Sequence, residues 1–223
     1  LLPPRLRWSV FARSFLLQAG FNPRVLQGLG WGWAIRPALE RLHPPGETRV
    51  EALRRHVATF NTHPYFSALL LGAVLRMEER AAAGAVGPAE PVALRDMLAP
   101  SLAAIGDDFF WNALRPACVL VALLAAPSLG AWSALLFVGL YNIVHLAVRA
   151  WLFDLGYRRA EALVPDLSRA QFPLGTVLLK RASAALAGAV GAQVLLLGQR
   201  QGGALSAAVA GIVAILGAGA CSA

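Results

Sequence analysis

Between Pro116 and Val148 the chain contains no Asp, Glu, Lys or Arg, and this run limits the molecule to one kind of environment. It is interrupted by Pro127-Ser128-Leu129-Gly130, an uncharged tight turn. Asp107 to Ala126 on one side is about 20 residues, enough for a helix to cross a hydrocarbon core of about 30 Å. Ala131 to Phe153 returns on the other side. The expectation is a helical hairpin through a bilayer. Basic residues are retained on the cytoplasmic side, so Arg149, Arg158 and Arg159 mark the cytoplasmic end and the turn faces outside.

Composition agrees. Of the 223 residues, 57% are hydrophobic and only 14% charged, against about a quarter charged in a soluble domain. The net charge of +8, from 20 basic and 12 acidic residues, lies outside the apolar runs. No basic stripe interleaved with aromatics appears, so the charge fits cytoplasmic loops and excludes a nucleic-acid partner. Cys118 and Cys221 both sit in apolar sequence and offer neither a disulfide framework nor a thiolate metal site. The start, Leu1-Leu2-Pro3-Pro4-Arg5, lacks Met and the apolar core of a cleavable signal. Insertion is expected to use internal helices.

Upstream of the hairpin the pattern is amphipathic. Ser9 to Ala19 spaces Val10, Phe11, Phe15 and Ala19 on one broad face and stops at Gly20. Asn22-Pro23 reads as an N-cap followed by Pro at the first helical position, opening a helix toward Leu42 that Pro37 should kink. Gly28 and Gly32 are spaced for close helix contact. Thr48 and Glu51 form a capping box for a helix whose stripe is Val50, Leu53, Val57 and Phe60. On this pattern His43 and His56 are solvated or interfacial. The chain breaks at Asn61-Thr62-His63-Pro64, and Tyr65 to Leu75 is too short to span, so a re-entrant, half-depth element is expected. Asn61 and Thr62 suit the hydroxyls of a sugar, as broken helices do in transporters, and packing alone is the competing explanation. His63 has no partner at metal-ligand spacing, and no metal or cofactor is expected.

An Ala/Gly/Pro-rich linker, Ala81 to Pro91, separates an amphipathic and re-entrant part, 1–91, from a transmembrane part, 92–223. Pro173 to Gly198 and Ala204 to Ala220 are further apolar helices, the second short, with Lys180 and Arg181 set to snorkel or to meet a partner. The fold class is therefore all-α, a multi-span helical membrane protein.

At the mouth of the uncharged run stands Ile105-Gly106-Asp107-Asp108-Phe109-Phe110-Trp111-Asn112-Ala113-Leu114-Arg115-Pro116. Asp107 suits a helix N-cap, and Arg115 follows at a spacing that lets it meet Asp108 or Asp107 on one face. An ion pair near lipid is expensive unless it is used. Asp107, Asp108 and Arg115 are thus polar candidates for the substrate path or its support, beside Asn61, Thr62 and His63.

Ile105-Gly106-Asp107, Trp111 and Leu114-Arg115-Pro116 resemble the signature of the IID membrane subunit of mannose/fructose/sorbose-type bacterial sugar phosphotransferase systems. Arg13-Ser14-Phe15-Leu16-Leu17-Gln18, Arg55-His56, Phe60-Asn61-Thr62-His63-Pro64-Tyr65, Asn142 to Arg149 and Gly156-Tyr157 resemble it too, in order. The resemblance covers about Arg13 to Tyr157. It departs at Ala99 and Ala104, where the family has glycine, and at His145, where it commonly has arginine. It implies a multi-pass subunit of the bacterial inner membrane that joins a IIC membrane subunit in a larger complex. In such complexes soluble IIA and IIB subunits phosphorylate a hexose-type sugar as it crosses, and the IID chain carries no phosphohistidine and no catalytic residue of its own. The departures keep an orphan scaffold or sensor derived from such a subunit as the alternative.

Overall fold

The structure, a computed structural model, describes residues 1–163, 165 and 172–200. Helices make up almost all of it, in the order α1 (Pro4–Arg13), a 3₁₀ stretch (Ser14–Gly20), α2 (Gly28–Leu42), α3 (Glu47–His56), α4 (Ser67–Ala82), α5 (Glu90–Gly106), a wide π stretch (Asp107–Leu114), α6 (Arg115–Leu129), α7 (Trp132–Arg159), a short 3₁₀ turn (Ala160–Ala162) and α8 (Phe172–Arg200). Three stretches are long and apolar enough to cross a membrane, Glu90–Leu129, Trp132–Ala162 and Leu174–Gln199. The all-α, multi-span reading holds. The helix expected at Ala204 to Ala220 lies outside the described residues.

The described residues of Leu1–Asp107 and His145–Ala170 form one compact unit, and those of Asp108–Val144 and Gln171–Ala223 a second. Helix α4 is the core of the first. Its residues Ser67 through Leu75 are all buried, and burial extends to Met77, Glu78 and Glu79. The tail of α7 lies close against it: a Cβ on Gly156 would fall 2.0 Å from the Leu69 carbonyl oxygen, and one on Gly72 would fall 2.1 Å from that of Phe153. Hydrogen at both positions is what lets the two backbones touch. In the second unit α6 packs on α8. Much of the apolar surface there stays exposed, including Leu135, Val138 and Ile143 on α7 and Leu178 and Leu196 on α8.

Several local expectations need correction. Helix α1 begins at Pro4, which occupies a first-turn position where a missing N–H costs nothing, and the chain tightens to 3₁₀ at Ser14. Asn22 does not cap α2. Its Oδ1 accepts from the backbone N–H groups of Arg24 and Val25 at 3.0 and 3.1 Å, closing a turn that ends at Leu26, and α2 starts only at Gly28. Gly28 and Gly32 do allow a close approach, but against Val57 and Ala58, which follow the end of α3, and not against another helix, and Gly30 meets the Leu17 carbonyl in the same way. Thr48 makes no cap, because α3 begins one residue earlier, behind Gly46. The predicted stripe on α3 also fails, since Val50 is exposed and Ala52 and His56 are buried.

Asp107 is not an N-cap either. Its backbone is helical, at φ −62° and ψ −44°, whereas an N-cap residue needs extended torsions. The chain passes from α5 to α6 through the π stretch with no break.

Candidate functional site

Pro64 disfavours helical torsions at His63, so the segment 60–64 runs as a connector between α3 and α4 and its backbone groups need outside partners. Gln27 supplies them: its Oε1 accepts from the Thr62 N–H at 3.0 Å and its Nε2 donates to the Thr62 carbonyl at 2.8 Å. The Thr62 hydroxyl donates to the Ala99 carbonyl on α5 at 2.9 Å. Thr62 and His63 are buried by this clasp, and Asn61 remains exposed.

His63 is held on two sides. Its Nδ1 accepts from the Tyr65 N–H at 3.3 Å, which places the proton of the neutral ring on Nε2. Gly106 presses on it so closely that a Cβ there would fall 2.4 Å from both Cβ and Cγ of His63. Burial, with the charges of His145 and Arg149 nearby, lowers the His63 pKa to about 4. The ring is therefore neutral at physiological pH.

Beyond His63 the cluster continues through aromatic faces. The rings of Tyr65 and His145 lie 3.8 Å apart at 30°. Arg149 is buried and has no carboxylate partner among the described residues. Its Nη2 donates to the Ser14 carbonyl at 2.5 Å and meets the Ser14 hydroxyl at 3.0 Å, and its guanidinium covers the Phe15 ring at 4.1 Å. A cation held by a carbonyl, a hydroxyl and π faces tolerates burial without a fixed counter-charge.

A second buried network lies between α2, α3, α4 and α5. Trp31 Nε1–H donates to His56 Nδ1 at 3.2 Å, so His56 carries its proton on Nε2 and donates it to Glu78 Oε1 at 2.8 Å. Arg55 Nη2 reaches both Glu78 oxygens at 3.0 and 2.8 Å, and His43 Nε2 stands 3.5 Å from Oε2. Burial would raise the Glu78 pKa, but the hydrogen bonds from His56 and Arg55 and the Arg55 charge hold it below the usual carboxylate range. Burial pushes the His56 pKa down. Arg95, fully buried, donates to the His56 carbonyl at 3.2 Å and to Asp96 at 2.7 Å. The reading of His43 and His56 as solvated or interfacial is thus overturned, because both turn inward onto a carboxylate. Glu79, one residue on, accepts from the Tyr157 hydroxyl at 2.7 Å and from Arg76 at 2.9 Å.

The cluster at the mouth of the uncharged run is arranged differently from the expectation. Asp108 pairs with Lys180 Nζ on α8 at 2.5 Å, both about 44% exposed, and accepts from Asn112 at 3.5 Å. The Arg115 guanidinium instead lies 5.2 Å from the centre of the Trp111 ring and makes no ion pair with Asp108. A residue 72 positions downstream outcompeted the nearer cation, which spacing along one helix does not reveal. Asp107 is exposed in the first unit. Gln27, Glu78 and Arg95 did not stand out in the sequence. Their only signal was a lone polar residue amid apolar neighbours for the first, and charges that looked like a solvated face for the other two.

What the first unit brings together is a set of segments far apart in the chain: Ser14 and Phe15, His56, Thr62 to Tyr65, Gly106, His145 and Arg149, and Gly156-Tyr157. Together they make a polar, aromatic-lined centre in the first unit of an all-helical protein whose longest helices are apolar enough to cross a membrane. Comparison with known proteins makes this specific. Residues 2–193 match the model of the PTS system mannose/fructose/sorbose family IID component, and the chain belongs to that family. It is 36% identical over 161 residues to the mannose-specific EIID component of Escherichia coli K12, covering 71% of this chain and 57% of that protein. It is 36% identical over 165 residues to the fructose permease IID component of Bacillus subtilis, covering 72% and 59%. The chain thus spans somewhat more than half the length of these relatives. Among solved structures it is similar to a chain in the cryo-EM structure of the mannose transporter ManYZ in complex with microcin E492, with a TM-score of 0.69, 32% identity, and 86% of this chain and 70% of that chain covered. A second structure, described as a membrane protein, gives a TM-score of 0.77 at 32% identity.

Proposed function

We propose that this chain is the membrane subunit of a mannose-type phosphotransferase sugar transporter, working with a IIC membrane subunit and soluble IIA and IIB subunits on a hexose-type sugar. The observation that carries the reading is the meeting of two family motifs: Gly106 of Ile105-Gly106-Asp107 closes on His63 of Phe60-Asn61-Thr62-His63-Pro64-Tyr65. Within this reading, Asn61 is the exposed group offered to sugar hydroxyls, and Thr62 and His63 fix the connector that presents it. A neutral, doubly held His63 acts as a rigid hydrogen-bonding wall and not as a proton carrier. Asp107, Asp108 and Arg115 support the moving part of the subunit. The 1–91 and 92–223 parts work as one subunit, in the bacterial inner membrane and in a larger assembly.

Sugar uptake in a strain that lacks its own IID subunit but keeps the IIC, IIA and IIB partners tests the proposal. The full-length protein should restore uptake, and Asn61→Ala should lower uptake while leaving the amount of assembled complex unchanged. The departures at Ala99, Ala104 and His145 support the scaffold or sensor alternative. That reading gains if a complex assembles normally and moves no sugar.

A further inference from the structure

The slot between the 3₁₀ stretch and α2 plays no part in the transport reading. It has a volume of about 300 Å³ and is lined by Leu16, Ala19, Gly20, Leu29, Gly30 and Trp33. Close packing makes it: a Cβ on Gly30 would fall 2.0 Å from the Leu17 carbonyl oxygen, and one on Gly20 would fall 3.2 Å from Leu29 Cβ. The two glycines form a floor without side chains, and Leu16, Leu29 and Trp33 stand exposed as its walls. The rim carries a cation that the sequence fixes in place. Pro37 lies inside α2 and has no N–H, so the Trp33 carbonyl four residues earlier loses its helical donor. Arg13 Nη1 supplies one at 3.3 Å, and the Arg13 guanidinium lies 4.7 Å from the centre of the Trp33 ring. Neither α1 nor the 3₁₀ stretch contains an acidic residue. Glu40, the acidic residue on α2, is held by Arg36 at 2.6 Å, and Arg13 makes no ion pair among the described residues.

We propose that this slot holds one acyl chain of a membrane phospholipid whose phosphate rests on Arg13. The outer face of α2 changes character along its length. Leu29 and Trp33 are exposed and apolar, and the ion pair of Arg36 and Glu40 follows about one and two turns further on. Such a change marks the level where hydrocarbon gives way to headgroups, and an indole ring is the side chain that favours that level. With 15 residues, α2 rises about 22 Å against a hydrocarbon core of about 30 Å, which suits a helix of the interface and not a crossing. The remaining N–H groups of Arg13 form a planar fork that matches phosphate oxygens. An apolar trough that ends in a cation fits a hydrocarbon chain that ends in an anion. The proposal depends on the chain lying in a membrane and is independent of the sugar-transport role.

The test uses the full-length protein with its membrane partners in lipid nanodiscs that contain phosphatidylglycerol with a photoreactive diazirine on one acyl chain, and it maps cross-linked peptides by mass spectrometry. Peptides that contain residues 16–33 should carry adducts. Ala19→Phe, which fills the slot from an exposed position, should remove most of them and leave the labelling of α8 unchanged. Leu29→Asp, also at an exposed position, should do the same. Arg13→Gln should weaken slot labelling roughly fivefold. Diacylglycerol with the same reactive chain but no phosphate should label the slot more weakly and should not respond to Arg13→Gln. Equal slot labelling by the two probes overturns the proposal, as does full labelling of Arg13→Gln or labelling that survives both Ala19→Phe and Leu29→Asp. An assembly in which α8 is labelled and the slot is not also overturns it, and makes the slot a contact with a partner subunit.

Discussion

Helices α4 and α8 are both apolar, yet the structure treats them in opposite ways. Helix α4 is 16 residues long and nearly all buried inside its own unit, including the carboxylates of Glu78 and Glu79. Helix α8 is 29 residues long, and only 6% of its most apolar window is buried. The difference shows that hydropathy marks what avoids water and not what replaces it. For α4 the replacement is the rest of the first unit, which provides Arg55, His56 and Tyr157 to its acidic end. The described residues bury little of α8, and a bilayer suits so apolar a surface.

The same contrast separates the charged groups. Glu78 is fully buried and bonded by His56 and Arg55, whereas Asp108 and Lys180 pair at a partly exposed site. Removing one member of a buried pair leaves an uncompensated charge, at about 3 to 5 kcal/mol. Glu78→Gln should therefore lower stability in detergent by that amount, read from thermal or denaturant unfolding. A loss near zero would mean that the network is decoration and that α4 is held by apolar packing alone.

Acid provides the next largest effect. The His63 pKa is about 4 in the fold against 6.5 for an ordinary histidine. The unfolded chain therefore binds more protons between these values, and stability falls as pH drops through that window. A proton bound only by the unfolded chain costs the fold about 1.4 kcal/mol per pH unit, so going from pH 7 to pH 5 should remove about 2 kcal/mol through His63. His63→Asn should flatten the melting profile between pH 7 and 5, where Glu78 stays ionised. An unchanged slope in that variant would place the acid sensitivity elsewhere, with His56 the first alternative.

The smallest effect belongs to the second unit. Exposed ion pairs contribute about 0 to 1 kcal/mol, so Asp108→Asn and Lys180→Met should each cost less than about 1 kcal/mol. Arg115→Ala should be additive with Asp108→Asn, because the two do not touch. Strong coupling between them in a double-mutant cycle would restore the pairing that their spacing suggests.

How much of this was legible in the sequence follows the same division. Two apolar helices joined by an uncharged turn and the family membership were readable, because uncharged length and motif order are properties of the chain alone, but the turn itself was misplaced: α6 runs through Pro127 to Leu129 and the chain turns at Gly130. The location of the polar centre was only half readable. Thr62 and His63 stood out at a helix break, but Gln27, which holds Thr62, and Arg149, which holds Ser14, are joined to their partners only by the fold. His43 and His56 were misread because a polar helix face has the same period whether it meets water or a buried carboxylate such as Glu78. The Asp107 cap failed because a π stretch allows α5 to run into α6, so no helix starts there.

The proposed pairing with a IIC membrane subunit is tested most directly by co-purification. Full-length protein should be expressed with and without its IIC subunit, and the two preparations compared by size-exclusion chromatography after gentle detergent extraction. The expected result is a monodisperse complex containing both chains, and aggregation or degradation when the chain is made alone, because the exposed apolar faces of α7 and α8 lack their cover. A stable, monodisperse preparation of the lone chain, with no IIC subunit retained when both are present, would contradict it.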